Sequence, residues 1–164
     1  MKGIVMNKKV MAVCFTAATI AIMIVIFLFS SQNSEDSSDL SRGFIQRVIS
    51  YLPFLEHITM EQKEAIIKNV HNFVRKTAHF SIYAALGFSG AGVFGHYFPD
   101  KKKRYVYICA VILCCAYAVT DEYHQLFSNG RSGELRDVCI DTGGGAAGAA
   151  VYMLVRKLVH RIKS

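Results

Sequence analysis

Four long apolar runs constrain this chain more than any other feature. Val10–Phe29 is twenty residues without a charge, and Phe80–Phe98 is nineteen residues without Lys, Arg, Asp or Glu. Tyr105–Thr120 is also uncharged, and Val138–Val155 contains a single charged residue, Asp141. Twenty helical residues extend about 30 Å, which is the thickness of the hydrocarbon core of a bilayer. The sequence therefore predicts an all-α membrane protein, a bundle of four transmembrane helices.

The predicted membrane domain is single and covers residues 1–164, with spans at 10–29, 75–98, 105–127 and 138–155. The spans are joined by an outer loop at 30–74, an inner loop at 99–104 and a second outer loop at 128–137. The first span, which follows several lysines, can also be interpreted as a cleaved signal peptide. Its apolar part is longer than the usual 7–15 residues and no small-x-small site follows Phe29, which favours an uncleaved helix.

The basic residues are concentrated on one side of the predicted bundle. They lie in the N-terminal segment, the inner loop and the C-terminal tail: Lys2, Lys8, Lys9, Lys101, Lys102, Lys103, Arg104, Arg156, Lys157, Arg161 and Lys163. The positive-inside rule then places the protein in the cell membrane with both termini in the cytoplasm. Because the anionic inner leaflet accounts for the net charge of +7, no nucleic-acid partner is predicted. All five cysteines fall in apolar spans, which predicts buried apolar roles rather than disulfides.

The first outer loop contains two amphipathic patterns. Apolar residues between Leu40 and Leu52 have helical spacing and stop at Pro53. Thr59 and Gln62 have the spacing of a capping box, and the apolar stripe behind them predicts a helix that runs into the second span. Such outer amphipathic helices either lie in the membrane interface or cap an outward-facing pocket.

Polar side chains gather where three predicted spans meet the outer face. The second span opens with three of them, the third span ends with four, and the following loop and fourth span add four more: Arg75, Lys76, His79, Asp121, Glu122, His124, Gln125, Arg131, Arg136, Asp137 and Asp141. A charge inside a membrane helix costs about 2.5–3.5 kcal/mol on insertion scales. Several such charges at one depth therefore predict a polar site in the outer leaflet.

Two functional interpretations follow from these residue types. Arginine and lysine suit the binding of phosphate or carboxylate, whereas acids and histidine suit acid–base catalysis. The candidate catalytic residues are Asp121, Glu122 and His124. The candidate substrate-binding residues are Arg75, Lys76, His79, Gln125, Arg131, Arg136, Asp137 and Asp141.

Two further interpretations use the same residues differently. A divalent metal has potential ligands in His79, His124, Asp121 and Asp137. However, the chain has no tight metal-binding spacing such as HExxH, so no metal and no cofactor are predicted. The structural alternative is that four cations neutralise four carboxylates, because intramembrane charges pair with one another. The two sets are Arg75, Lys76, Arg131 and Arg136 against Asp121, Glu122, Asp137 and Asp141.

The same stretches resemble the VanZ family of bacterial membrane proteins. The matching segments are Arg75-Lys76-x-Ala78-His79-Phe80, Asp121-Glu122-x-x-Gln125-x-Phe127, Gly130-Arg131, Asp137-x-x-x-Asp141, the Gly144/Gly148 run and Ser30-Ser31-Gln32 after the first span. Together they cover nearly the whole chain in order. The sequence departs from the family at Asn129, where Pro is frequent, and at Asp141, where Asn is frequent.

The resemblance implies a multi-pass protein of the bacterial cell envelope, linked to low-level resistance to the glycopeptide teicoplanin. A binding module would hold a cell-wall precursor, a lipid headgroup or a glycopeptide at the outer leaflet. An intramembrane hydrolase or transferase would instead act on a lipid-linked phosphate or peptide. A scaffold with structural ion pairs is the third possibility. The lipid bilayer is the one certain partner that the resemblance implies, and the oligomeric state stays open.

Overall fold

The computed structural model describes residues 8–31, 43, 47, 59–98, 102–126 and 134–163. This part of the chain is helical and contains no strand, which confirms the predicted all-α fold there. Its four helices are α1 Lys8–Ser30, α2 Met60–Tyr97, α3 Lys103–Gln125 and α4 Leu135–Lys163. Most of the amphipathic pattern at Leu40–Leu52, and the loop residue Arg131, lie outside the described residues.

Three of these helices, α1, α3 and α4, are long and apolar enough to cross a membrane. The predicted second span lies in α2, which does not meet the same criterion. Four glycines and two serines dilute the apolar half of α2. That half is sheltered by its neighbours, since Leu86, Ser89 and Ala91 are all buried. The fourth crossing therefore stays a prediction, although the helix that would make it is present.

The N-terminus of α2 is closed by the predicted capping box. The Gln62 backbone N–H donates to the Thr59 hydroxyl, and the Thr59 N–H donates to the Gln62 side chain. These bonds satisfy two of the N–H groups that a helix start leaves without intrahelical partners. The second amphipathic helix and the second predicted span are confirmed as one continuous helix of 38 residues.

Helix α2 is the centre of the bundle, because it contacts α1, α3 and α4. It runs parallel to α4: the α2 backbone at Phe80 faces Gly144, and the backbone at Ala84 faces Gly148. Four residues along α2 thus correspond to four residues along α4. This shared register places the N-terminal parts of α2 and α4 side by side.

Helices α1 and α3 run in the opposite direction to α2. Phe15, early in α1, lies against Gly92 late in α2, whereas Ile26 packs in one cluster with Tyr83. Helix α3 follows the same rule, since Ala118 joins the cluster of Tyr83 while Val106 joins that of Ala91. Consecutive helices therefore alternate in direction, and the start of α2, the end of α3 and the start of α4 meet at one end of the bundle.

Candidate functional site

A cluster of eight polar residues occupies that common end. Three come from α2, three from α3 and two from α4, and we call them the polar cluster: Arg75, Lys76, His79, Asp121, Glu122, Gln125, Asp137 and Asp141. The structure thus brings together most of the residues predicted from sequence. Four members are at most 7% exposed, which is unusual for groups of this polarity: Asp121, Glu122, Gln125 and Asp141.

Helices α2 and α4 are joined by two rungs of polar contacts. In the first rung, Arg75 Nη2 lies 3.3 Å from Asp137 Oδ2 and Lys76 Nζ lies 2.5 Å from Asp137 Oδ1. In the second rung, His79 Nδ1 lies 3.4 Å from Asp141 Oδ2. The rungs repeat because residues four apart share a helix face and the two helices are parallel. Arg75 and His79 thus share one face of α2, and Asp137 and Asp141 share one face of α4.

Among the described residues, which exclude Arg131, the ion pairs are not distributed one cation to one carboxylate as the structural interpretation expects. Both Arg75 and Lys76 contact the same carboxylate, Asp137, and Lys76 also lies 3.9 Å from Glu134. None of the ion pairs formed among the four helices joins an Arg or Lys to Asp121 or Asp141. Two cations therefore share one half-buried carboxylate, while the buried carboxylates contact neutral partners or histidine.

Asp121 lies in the last turns of α3 and is a buried member of the polar cluster. The Gln125 side-chain amide donates to Asp121 Oδ2 over 3.2 Å, as expected for residues four apart on one face. The Ser30 hydroxyl at the end of α1 also lies within hydrogen-bonding reach of this carboxylate. Asp121 thereby links α1 and α3 at the depth where α2 and α4 contribute their own polar groups.

Glu122 has a different position from its neighbour. Its Oε2 accepts a hydrogen bond of 2.9 Å from the backbone N–H of Glu134, the residue directly before α4. The carboxylate thus fastens the end of α3 to the start of α4 across the connecting loop. A carboxylate is also favourable near the N-terminus of a helix, because the helix dipole is positive there. We therefore assign Glu122 the role of positioning the end of α3 against the start of α4, outside the exposed part of the site.

Three predicted site residues lie apart from the polar cluster or cannot be assigned to it. The His124 ring packs against Phe27 of α1, with 4.8 Å between ring centroids. Arg136 is exposed on the first turn of α4. Arg131 lies outside the described residues. The shared face of Asp121 and Gln125 is confirmed, whereas His124 is turned toward α1.

A small pocket opens beside the two rungs. Its cavity volume is about 10 Å³, and it is lined by Ile140 and five members of the cluster: Arg75, Lys76, His79, Asp137 and Asp141. Pockets for drug-sized ligands usually measure about 300–1,000 Å³, whereas about 10–15 Å³ is room for one water molecule. This pocket therefore suits a water molecule, a single ion or one oxygen atom of a larger polar group.

Sequence reasoning missed two contributors to this end of the bundle. Ser30 contributes at the end of α1, and Glu134 contributes its backbone N–H to Glu122. Both positions carry a usable signal, since they end or precede a helix at the depth of the polar cluster. Tyr83 continues the face of Arg75 and His79 as predicted, and its side chain is fully buried.

Comparison with known proteins adds the family. A VanZ/LLP1 family profile matches residues 15–156, a range that includes nearly all of the four helices and the whole polar cluster. The chain belongs to the VanZ/LLP1 family. No curated protein and no solved structure gives a significant match. The resemblance to VanZ proteins that the motifs indicated is thereby confirmed, and the apolar helices agree with a membrane protein of this family.

Proposed function

We propose that this VanZ/LLP1 protein binds a small anionic group of the cell envelope at the outer leaflet, and that this binding contributes to teicoplanin resistance. The observation that carries the proposal is the pairing of two cations with one carboxylate at the pocket. The side chains of Arg75 and Lys76 are 34% and 26% exposed, whereas Asp137 is 15% exposed. With Glu134 included, the formal charges of this rung balance, so Arg75 and Lys76 offer a phosphate or carboxylate their partly exposed N–H donors rather than a net positive charge.

A four-span topology with both termini in the cytoplasm supports the outward orientation. The alternating helix directions fit four successive crossings, and α2 lies alongside three helices that are apolar enough to span a bilayer. The basic residues Lys8, Lys103 and Arg156 fall at the end of the bundle opposite to the polar cluster. By the positive-inside rule that end is cytoplasmic, so the cluster faces the outside.

The size of the pocket favours a headgroup over a whole antibiotic as the ligand. A cavity of about 10 Å³ admits one anionic oxygen of a headgroup whose remainder lies outside, but not a glycopeptide. We therefore propose that the protein acts on the membrane-anchored target, by holding the headgroup of a lipid or of a cell-wall precursor. Teicoplanin, which is lipophilic, would then reach its target less readily at the membrane surface.

The enzyme alternative has less support. Two of its three candidate catalytic groups have structural contacts, since Glu122 accepts a backbone hydrogen bond and His124 packs against Phe27. Asp121 is buried beside Gln125 and is not among the residues that line the pocket. An intramembrane hydrolase or transferase would require these groups to reach a substrate.

The proposed function predicts a specific susceptibility pattern. Deleting the gene should lower the inhibitory concentration of teicoplanin and leave that of vancomycin little changed. A plasmid copy of the wild type should restore resistance, whereas Lys76→Gln should leave it at the level of the deletion strain, because one of the two cationic donors at the pocket is lost. Lys68→Gln, an exposed lysine two turns earlier in α2, is the matched control and should complement fully.

Two outcomes of this experiment would count against the proposal. If the deletion strain and its parent are equally sensitive to teicoplanin, the link to resistance is wrong. If Lys76→Gln complements as well as Lys68→Gln, while both proteins are present at wild-type levels in the membrane, the charge at the pocket is not needed and anion binding there is wrong.

A further inference from the structure

Beneath the two exposed cations, three metal-ligating side chains from three different helices converge. His79 on α2, Asp121 on α3 and Asp141 on α4 each offer one nitrogen or oxygen atom, and these atoms all lie within 4.8 Å of one another. Both carboxylates are buried, with exposed fractions of 5% for Asp121 and 1% for Asp141. This group differs from the common cluster of exposed acids, because it is enclosed by helix packing.

The electrostatics of this group favour a positive charge between the carboxylates. Two ionised carboxylates in a low-dielectric environment repel each other strongly, and each loses its hydration on burial. The cations of the first rung are engaged elsewhere, since Arg75 and Lys76 contact Asp137. His79 supplies a single charge, and only when it is protonated. A divalent cation would neutralise both carboxylates at once.

Unsatisfied polar atoms at the same place point to a ligand. Asp141 Oδ1 is buried and has no hydrogen-bond partner among the described residues, although its Oδ2 faces His79. The Tyr83 hydroxyl, one turn below His79, is also buried without a partner and lies within electrostatic reach of Asp121 and Asp141. Buried polar atoms usually have a hydrogen-bond partner. Two unpartnered oxygen atoms near the His79, Asp121 and Asp141 side chains therefore indicate a bound species.

We propose that His79, Asp121 and Asp141 bind a divalent transition-metal ion, of which Zn²⁺ and Mn²⁺ match the donor set best. Imidazole nitrogen suits Zn²⁺, and carboxylate oxygen suits both Zn²⁺ and Mn²⁺. With metal–ligand bonds of about 2.1 Å, two ligands of a tetrahedral ion lie about 3.4 Å apart. The separation of 3.4 Å between His79 Nδ1 and Asp141 Oδ2 already has this value.

Three protein ligands leave at least one coordination position open. His79 and Asp141 also line the small pocket, together with Arg75 and Lys76. The open position would therefore face the same space as the two cations, where a water or an anionic oxygen can bind. The metal site does not depend on the proposed function, because the ion would bind whether or not the pocket takes a headgroup.

Metal content of the purified protein tests this proposal. The full chain is purified in detergent with a histidine-free tag, stripped with a chelator and titrated separately with Zn²⁺, Mn²⁺ and Mg²⁺ as the chloride salts. Wild-type protein is expected to retain about one Zn²⁺ or Mn²⁺ per chain after desalting and to melt at a higher temperature with the ion, since a ligand of the folded state stabilises it. Mg²⁺ is expected to have the weakest effect.

Matched variants distinguish a site from nonspecific binding. Asp121→Asn and His79→Gln should each weaken binding at least about 100-fold, given that even outer-shell partners change metal affinity about 10–100-fold. Glu64→Gln removes an exposed carboxylate of α2 outside the polar cluster and should bind like wild type. Circular dichroism and gel filtration verify that each variant is folded.

Three results would overturn the metal site. Wild-type protein that binds none of the ions at stoichiometric levels shows that the carboxylates are neutralised by protons instead. Equal loss in Glu64→Gln and Asp121→Asn shows nonspecific binding to acids. Unchanged binding in folded Asp121→Asn and His79→Gln places the ion elsewhere. Each result leaves the susceptibility experiment with Lys76→Gln intact, so the two proposals fail independently.

Discussion

Gly148→Ala is expected to destabilise the protein by about 3 kcal/mol, because overpacking a tight contact commonly costs about 1–3 kcal/mol and a backbone obstacle cannot rotate away. A Cβ atom at this position would lie within 3 Å of three backbone atoms of Ala84 on α2. The two helices would have to separate, and the contact surface of α4 with the central helix would open. Small residues at four-residue spacing permit this close approach in membrane helices.

The measurement is the apparent melting temperature of the detergent-purified protein. For a chain of this length a loss of about 3 kcal/mol lowers it by about 10 °C. Gly143→Ala is the matched control on the same helix, since its Cβ would meet only the Phe80 ring at 3.9 Å, an ordinary contact. Because alanine also favours a helix over glycine by about 0.5–1 kcal/mol, this control should melt at or above the wild-type temperature. Equal melting of the two variants would contradict the helix contact.

Labelling of Leu135→Cys from outside the cell is expected to be nearly complete, and labelling of Lys102→Cys nearly absent. Leu135 is 86% exposed at the start of α4, at the same end of the bundle as the polar cluster. Lys102 is exposed directly before α3, at the opposite end. If that end is cytoplasmic, a charged maleimide that does not cross the membrane reaches only the first position in intact cells.

The experiment uses a background in which the five native cysteines are replaced by alanine: Cys14, Cys109, Cys114, Cys115 and Cys139. Lysed cells provide the reference, because both introduced thiols should then react to the same extent. Labelling of Lys102→Cys but not Leu135→Cys in intact cells would mean that the end with the polar cluster faces the cytoplasm. Labelling of both, in cells that exclude an impermeant control dye, would mean that α3, which joins the two positions, does not cross the membrane.

Most of the fold can be predicted from the sequence because the sequence patterns that determine the helices are local. Apolar runs, the Thr59 capping box and the glycine spacing each act within one or two helical turns, and the corresponding helices are present. Helix ends were less accessible, since α4 continues to Lys163, beyond the predicted end of its span. A hydrocarbon thickness sets the length of a span but not the length of the helix that contains it.

The sequence predicts most of the residues that form the site, but it does not predict which carboxylate contacts which cation. Helical periodicity and topology correctly brought Arg75, His79, Asp121 and Asp141 to one depth. Which carboxylate receives which cation depends on the register between α2 and α4, a tertiary property that no local pattern encodes. The register places Asp137 beside both Arg75 and Lys76, and it leaves Asp141 for His79. For the same reason the direction of His124 toward Phe27 could not be predicted.

One pair of measurements on Arg75→Gln tests most directly whether the polar cluster forms a working site. We expect the free energy of unfolding of this variant to lie within about 1 kcal/mol of the wild-type value. A partly exposed ion pair contributes little stability, and Lys76 still contacts Asp137. We expect the same variant to lose teicoplanin resistance when it replaces the wild type in cells. Stability and resistance that fall in parallel would contradict the account and would reduce the cluster to structural ion pairs.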